Sequence, residues 1–174
     1  LVTKEEQIIE AETLCKEEPL LDLRPYRNKK VGVIITGSEV YHGRIQDKFG
    51  PVIRAKMQQY PGEILGITLC EDHLEMILNA AREHLQNGAD LLIFTGGMSV
   101  DPDDNTPGGI KLSGARIVTY GAPVLPGAMF LLGYYEDGTV VMGLPGCVMY
   151  AAATIFDLIL PQTAAGLRVT KEEI

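Results

Sequence analysis

Short apolar runs alternate with amphipathic segments along the middle of the chain, and this alternation constrains the fold more than any other feature. Strands are predicted at 31–35, 63–69 and 90–95, of which the first and last are continuous enough in aliphatic residues to be buried on both faces. Helices are predicted at 45–60 and 72–86 from apolar residues at three- and four-residue spacing. Strands that alternate with helices form right-handed crossovers, so a mostly parallel α/β sheet is expected.

The last third of the chain changes character. Two apolar runs, 129–135 and 139–144, flank Glu136-Asp137-Gly138, which indicates a hairpin and an antiparallel pair in the sheet. An apolar helix is predicted at 148–160, ended by Pro161. The resulting fold class is a three-layer α/β/α sandwich with a mostly parallel, mixed sheet.

The domain organisation follows from length and composition. A chain of 174 residues that is 46% apolar can fill one core. Residues 1–30 are interpreted as a leader helix, with a capping box at Thr3 and Glu6, followed by a linker arm. The domain itself is placed at 31–163. Residues 164–174 are interpreted as the truncated tail of a longer protein whose flanking domain is missing.

Charge and cysteine content exclude several classes of function. A net charge of −8, with 15 basic residues against 23 acidic ones, argues against a nucleic-acid partner. No apolar run reaches the roughly 18–20 residues that span a bilayer, so no membrane partner is expected. The three cysteines are far apart and odd in number, which favours neither disulfides nor zinc and is typical of a reducing compartment. A cytoplasmic location is therefore expected.

A glycine-rich acidic loop follows the strand at 90–95. Gly96-Gly97 lets the backbone approach a ligand and present N–H groups to an anion. Asp103 and Asp104 are suitable Mg²⁺ ligands, and Thr106-Pro107 can open a helix. The loop therefore predicts a site for phosphate and metal, with ordinary turn punctuation as the alternative.

Two further loops are expected at the same edge, because ligands of open α/β sheets bind outside the carboxyl ends of the strands. Thr36-Gly37-Ser38-Glu39 follows the first strand, with Asp47 further along the same loop. Leu144-Pro145-Gly146-Cys147 precedes the last predicted helix, where free N–H groups form a natural anion site.

Taken together and in this order, the three loops resemble the molybdopterin-binding domain of molybdenum-cofactor biosynthesis proteins over residues 31–160. The Thr-Gly-Ser-Glu opening and the Leu-Pro-Gly ending look most like the molybdenumtransferase branch, which inserts molybdate into adenylylated molybdopterin. The resemblance implies molybdopterin as ligand or substrate and Mg²⁺ as cofactor, with ATP or molybdate as further ligands and a homo-oligomer as an assembly.

The resemblance also implies site residues. Asp47 and Asp104 match the two functional aspartates of the family, as catalytic residues and as Mg²⁺ ligands. The positions that match its cofactor-binding loops are Thr36, Gly37, Ser38, Glu39, Gly96, Gly97, Met98, Ser99, Pro145, Gly146 and Cys147.

Two positions depart from the family pattern. Phe49 stands where a polar residue commonly follows the first aspartate, and Cys147 stands where Asn follows Leu-Pro-Gly. A thiol is a weaker hydrogen-bond donor than an amide. Cys147 is either a reactive thiolate at a helix N-terminus or a small buried thiol. These departures leave open a non-catalytic cofactor carrier or sensor.

The acidic loop carries a second resemblance. Gly96-Gly97 followed by Pro102-Asp103-Asp104 and Thr106 is similar to the loop of the competence-damage-inducible proteins, whose related domain is linked to nucleotide-pyrophosphate hydrolysis. That resemblance makes Asp103 a Mg²⁺ ligand alongside Asp104. A nucleotide pyrophosphatase is therefore the alternative function.

Overall fold

A computed structural model describes residues 3–16 and 21–174. The helices are α1 (Glu5–Leu14), α2 (Ser38–Tyr41), α3 (Phe49–Met57), α4 (Leu74–Gln86), α5 (Thr106–Leu112) and α6 (Ile155–Ala164). The strands are β1 (Lys29–Thr36), β2 (Gly62–Cys70), β3 (Leu91–Thr95), β4 (Arg116–Tyr120), β5 (Leu131–Tyr134) and β6 (Val140–Leu144). None of the helices within the described ranges has the length and apolar character needed to cross a membrane.

The strands form one six-stranded sheet in the order β2-β1-β3-β6-β5-β4. The first four are parallel to one another, whereas β5 is antiparallel to both β6 and β4. The predicted mixed, mostly parallel sheet is therefore confirmed. Because Tyr120 pairs with Leu131 and Leu131 pairs with Gly143, the β4–β5 loop lies beside the ends of the parallel strands. We call this side of the sheet the carboxyl edge.

Alternate side chains of the strands enter two separate cores, one on each face of the sheet. Val33 packs in the core shared with α3 and α6, which contains Ile53. Its neighbour Ile34 packs in the core shared with α4 and α5, which contains Ile77 and Ile110. The two-residue period of a strand and the apolar stripes of four helices thus produce the three layers predicted from the sequence.

The prediction for the last helix was wrong at both ends. Residues 146–149 form a short 3₁₀ turn, and α6 begins only at Ile155. The start is fixed by Thr154, whose backbone N–H and hydroxyl both donate to the Asp157 carboxylate. Pro161 lies inside α6 and does not end it, since a proline removes a single backbone N–H and burial of the apolar face holds the remaining turn. Strand β4 was not predicted at all.

The ends of the chain also differ from prediction. The cap of α1 is Lys4, one residue after the expected Thr3, and its N–H donates to the Gln7 side chain. No residue of α1 is buried. At the other end Val169 is buried, and its N–H and C=O both bond to the Tyr134 hydroxyl. The packed unit therefore extends past the expected boundary at residue 163. Part of the predicted linker arm, 17–20, lies outside the described residues.

Candidate functional site

The Gly96-Gly97 turn is the centre of the carboxyl edge. Both glycines have positive φ, +81° and +48°, which side-chain-bearing residues rarely adopt. A Cβ at Gly96 would overlap the carbonyl group of Thr36, and one at Gly97 would lie 2.8 Å from Thr106 Oγ1 and 2.9 Å from Asp72 Oδ1. The turn therefore rests directly on its neighbours, and only glycine fits there.

A chain of hydroxyl groups lies beneath this turn. The hydroxyl oxygens of Thr36 and Thr106 are 2.8 Å apart, and Thr106 donates to Asp72 Oδ1 over 3.4 Å. Thr95 donates to the Leu144 carbonyl over 3.0 Å. All three threonines are buried. They tie β1, β3, β6 and α5 together, so Thr36, predicted to bind the cofactor, supports the turn from below.

Asp72 is a site residue that sequence reasoning missed. Its carboxylate accepts the backbone N–H of Asn105 at 3.3 and 3.2 Å, while the Asn105 amide donates to the Asp72 carbonyl at 3.0 Å. This half-buried carboxylate fixes the start of α5 beside Gly97. The sequence feature that could have identified Asp72 is its position just after β2, which places it at the same sheet edge as the loops that follow β1 and β3.

Asp104 and Ser99 form a unit on the acidic loop. Asp104 Oδ2 accepts the backbone N–H of Ser99 at 2.6 Å and its hydroxyl at 2.7 Å. Asp103 is exposed, and its backbone N–H donates to Asp101. The structure thus orients one oxygen of Asp104 and leaves Oδ1 without a protein partner among the described residues.

Asp47 lies one residue before Lys48, the N-cap of α3, and its carboxylate bonds to the first N–H groups of that helix. Its carboxylate accepts the N–H of Phe49 at 2.7 Å and of Gly50 at 3.1 Å. A Cβ at Gly50 would overlap this carboxylate. Two donors and a helix N-terminus hold the charge of Asp47 in place, which gives the residue a structural role independent of any ligand.

The three aspartates predicted to bind magnesium do not form a complete protein site. Within residues 3–16 and 21–174, no group of three or more His, Cys, Asp or Glu side chains is arranged to hold a metal ion. Carboxylate oxygens at Asp47, Asp103 and Asp104 are suitable ligands for Mg²⁺, which commonly takes one or two carboxylates together with water and substrate phosphate. A magnesium ion here would need ligand phosphate to complete its coordination.

The other predicted residues fall into two groups. Gly37, Ser38 and Glu39 open α2 on the loop after β1, where Ser38 and Glu39 are exposed. Met98 is 2% exposed, and its side chain lies in the core against Gly143, so its side chain cannot line the site. A missed contact, His42 Nε2 to Glu71 Oε1 at 2.8 Å, joins the loops after β1 and β2.

The Pro145-Gly146-Cys147 segment ends the parallel strand β6. Gly146 is exposed and Cys147 half-buried at the start of the 3₁₀ turn. Burial raises the pKa of the Cys147 thiol, which its hydrogen bonding only partly opposes. Of the two alternatives for this residue, the neutral thiol is the one that the structure favours.

Two backbone N–H groups at the centre of the edge have no acceptor. Within the described residues, neither the N–H of Gly97 nor that of Met98 takes part in a hydrogen bond. Consecutive N–H groups in such a turn form a concave site for an anion. The fold and this turn together define a class of protein, an open α/β domain with unpartnered N–H groups beside acidic loops at its carboxyl edge.

A comparison of the sequence with models of protein families identifies the family of this chain. Residues 32–165 match the family model described as a probable molybdopterin binding domain, and the chain belongs to that family.

Individual relatives share shorter stretches of sequence. A CinA-like protein of Mycobacterium tuberculosis is 36% identical over 77 residues, which are 44% of this chain and 18% of that protein. The chain therefore spans well under two thirds of the length of the curated relatives that it matches.

Solved structures share the fold. The molybdopterin biosynthesis enzyme MoaB of Thermus thermophilus superposes with a TM-score of 0.64 at 22% identity, covering 79% of this chain and 97% of that one. A CinA protein of Thermoplasma acidophilum, described as having unknown function, gives 0.61 at 17% identity, covering 80% and 100%.

Proposed function

We propose that this domain binds molybdopterin during molybdenum-cofactor biosynthesis, with the terminal phosphate of the pterin at the Gly96-Gly97 turn. The observation that carries the proposal is the pair of unpartnered N–H groups on Gly97 and Met98. Thr106 and Asp72 bond to each other and pack directly beneath Gly97, which supports a turn whose donors are oriented before a ligand arrives. Family membership supports the choice of a pterin over other phosphorylated compounds.

The reaction proposed at this site is magnesium-dependent molybdenum insertion or adenylyl transfer. Asp104 would hold Mg²⁺ through the oxygen that Ser99 leaves free, and Asp103 or Asp47 would supply a second carboxylate. When bound, the ion would neutralise the phosphate charge and orient the reacting group. The residues of this chain contribute phosphate binding and orientation.

Calorimetric titration with molybdopterin and with its adenylylated form, each with and without Mg²⁺, tests the proposal. Micromolar, magnesium-sensitive binding is expected for the original sequence and for Asp101→Asn, a control on the same loop. Asp104→Asn should lose the magnesium dependence and nearly all turnover while keeping its melting temperature. Full turnover in Asp104→Asn would remove Asp104 from the mechanism, and binding without turnover in the original sequence would assign the domain as a carrier or sensor.

A second candidate is magnesium-dependent hydrolysis of a nucleotide pyrophosphate. It is favoured by the 36% identity to CinA-like proteins and by the exposed Asp103 beside Asp104. In this reaction water attacks one phosphorus atom, the P–O bond to the bridging oxygen breaks, and the other phosphate ester leaves with that oxygen, so that the products are two phosphate monoesters. Incubation of the pterin-free protein with a dinucleotide pyrophosphate and Mg²⁺ distinguishes the candidates, since only this one predicts two mononucleotide products.

A further inference from the structure

A second concave site lies at the opposite side of the sheet, which we call the amino edge. Its cavity has a volume of about 220 Å³ and is lined by Arg27, Lys29 and Arg168, together with Tyr134 and Gly166. Three cationic side chains thus meet in one cavity of a chain whose net charge is −8. General basicity of the chain cannot explain this cluster.

The nearby C-terminus of α6 does not account for the cations either. Basic side chains often bond to the last carbonyls of a helix. Here backbone N–H groups already serve those carbonyls: Ala165 donates to Pro161, Leu167 to Gln162, Gly166 to Thr163 and Arg27 to Ala164. The side-chain guanidinium groups are therefore not needed as helix caps.

The two arginines are held in place without carboxylate partners. The Arg168 guanidinium lies over the Tyr134 ring, 4.5 Å from its centroid. The Arg27 guanidinium lies against Gly166, where a Cβ would overlap it. Within the described ranges neither arginine forms an ion pair, whereas the Lys29 side chain, 13% exposed, forms a long one with Asp90 at 4.0 Å.

We propose that this cavity binds a phosphate group, as free phosphate or as a small phosphate monoester. Guanidinium groups match phosphate geometry and are always charged. A dianion would pair with the guanidinium groups of Arg27 and Arg168, which form no ion pair among the described residues. The site is separate from the Gly96-Gly97 turn, because Lys29 and Gly96 lie at opposite ends of the parallel strands.

Amide NMR of the ¹⁵N-labelled protein, titrated with inorganic phosphate at constant ionic strength, tests the proposal. Saturable shifts are expected at Gly166 and Arg168. Arg27→Gln and Arg168→Gln should each raise the dissociation constant by about tenfold, the effect of losing one charged hydrogen bond. Arg82→Gln, an exposed arginine on α4 and on the other face of the sheet, should leave it unchanged.

The results that would contradict this proposal differ from those that would contradict pterin binding at the carboxyl edge. Shifts confined to the Gly96-Gly97 turn, or the same response to sodium chloride alone, would overturn the proposal while leaving the carboxyl-edge site untouched. If the Arg168→Gln variant unfolds because its contact with Tyr134 is lost, the dissociation constant of the Arg27→Gln variant alone tests the proposal. Tighter binding of glycerol phosphate than of phosphate would support an ester ligand, and equal or weaker binding would support free phosphate.

Discussion

Single residues at the carboxyl edge are constrained by backbone contact. Gly96 combines positive φ with a position where a Cβ would overlap the Thr36 carbonyl, which is backbone and cannot rotate away. Gly96→Ala should therefore lower the free energy of unfolding by about 1–3 kcal/mol, the usual cost of such strain. Urea denaturation measures this. Gly146→Ala, where a Cβ meets open space at ordinary φ, should stay within about 0.5 kcal/mol of the original.

Asp72 offers a second test at this scale. In Asp72→Asn the amide can present an N–H to the N–H of Asn105, and the half-buried interaction with the start of α5 weakens. We expect a loss of about 1–3 kcal/mol in unfolding free energy and weaker phosphate binding at Gly97. Glu75→Gln, an exposed acidic residue on α4, is the control. Unchanged stability in Asp72→Asn would show that Asn105 finds another acceptor.

Features of the candidate site were predictable from the sequence only where the residues that form them are adjacent in the chain. The positive-φ glycines and the acidic loop form one continuous motif, so the sharp turn could be predicted, and the role of Asp104 stays a prediction. Asp72 contacts Asn105 across 33 residues, and no local pattern marks such a contact. Met98 was included by its position in the loop, whereas its side chain is buried in the core, and no local pattern in the loop sequence indicates that direction.

At the scale of elements, α4 packs a histidine against the sheet. His84 is 5% exposed, its Nε2 lies 3.0 Å from Thr68 Oγ1, and its Nδ1 has no hydrogen-bond partner within the described residues. A Cβ at Gly32 would overlap the ring, so helix and strand approach closely here. Burial lowers the pKa of His84 in the folded protein, and the nearby Glu83 carboxylate opposes this only in part.

The sign of the pH dependence follows from that direction. Below the ordinary histidine pKa of about 6.5, the unfolded chain binds a proton that folded His84 resists, so stability should fall as pH falls from about 6.5. Urea midpoints measured between pH 7 and pH 5 should show this slope for the original and for His73→Gln, and a smaller slope for His84→Gln. Equal slopes in all three proteins would exclude His84 as the source.

Helices and strands were predictable where the spacing of apolar residues fits only one type of secondary structure. Strands β1 and β3 and helix α4 have unbroken periodicity, and the structure has all three. Strand β4 was missed because Arg116 to Tyr120 is short, with polar residues at 116 and 119, and depends on pairing with β5. The segment before α6 is apolar throughout, so only the capping contact between Thr154 and Asp157 shows where the helix starts.

At the scale of the whole molecule, the two sheet edges have opposite characters. The carboxyl edge combines unpartnered N–H groups with acidic loops, which suits an anion bridged by a cation. The amino edge gathers three cations that suit an anion directly. The parallel strands separate the two sites, so substitutions at one edge should leave ligand binding at the other unchanged.

The extent of the folding unit gives the last prediction. Val169 is buried, and both of its backbone groups bond to the Tyr134 hydroxyl, whose own burial raises the pKa of Tyr134. Removal of residues 165–174 should therefore expose apolar surface and break two buried hydrogen bonds, lowering the unfolding free energy by about 2–4 kcal/mol. Removal of residues 1–16, which includes α1 with no buried residue, should change it by less than about 0.5 kcal/mol. Urea denaturation of both truncations compares them directly. An equally stable protein without 165–174 would restore the boundary at residue 163 that the sequence predicts.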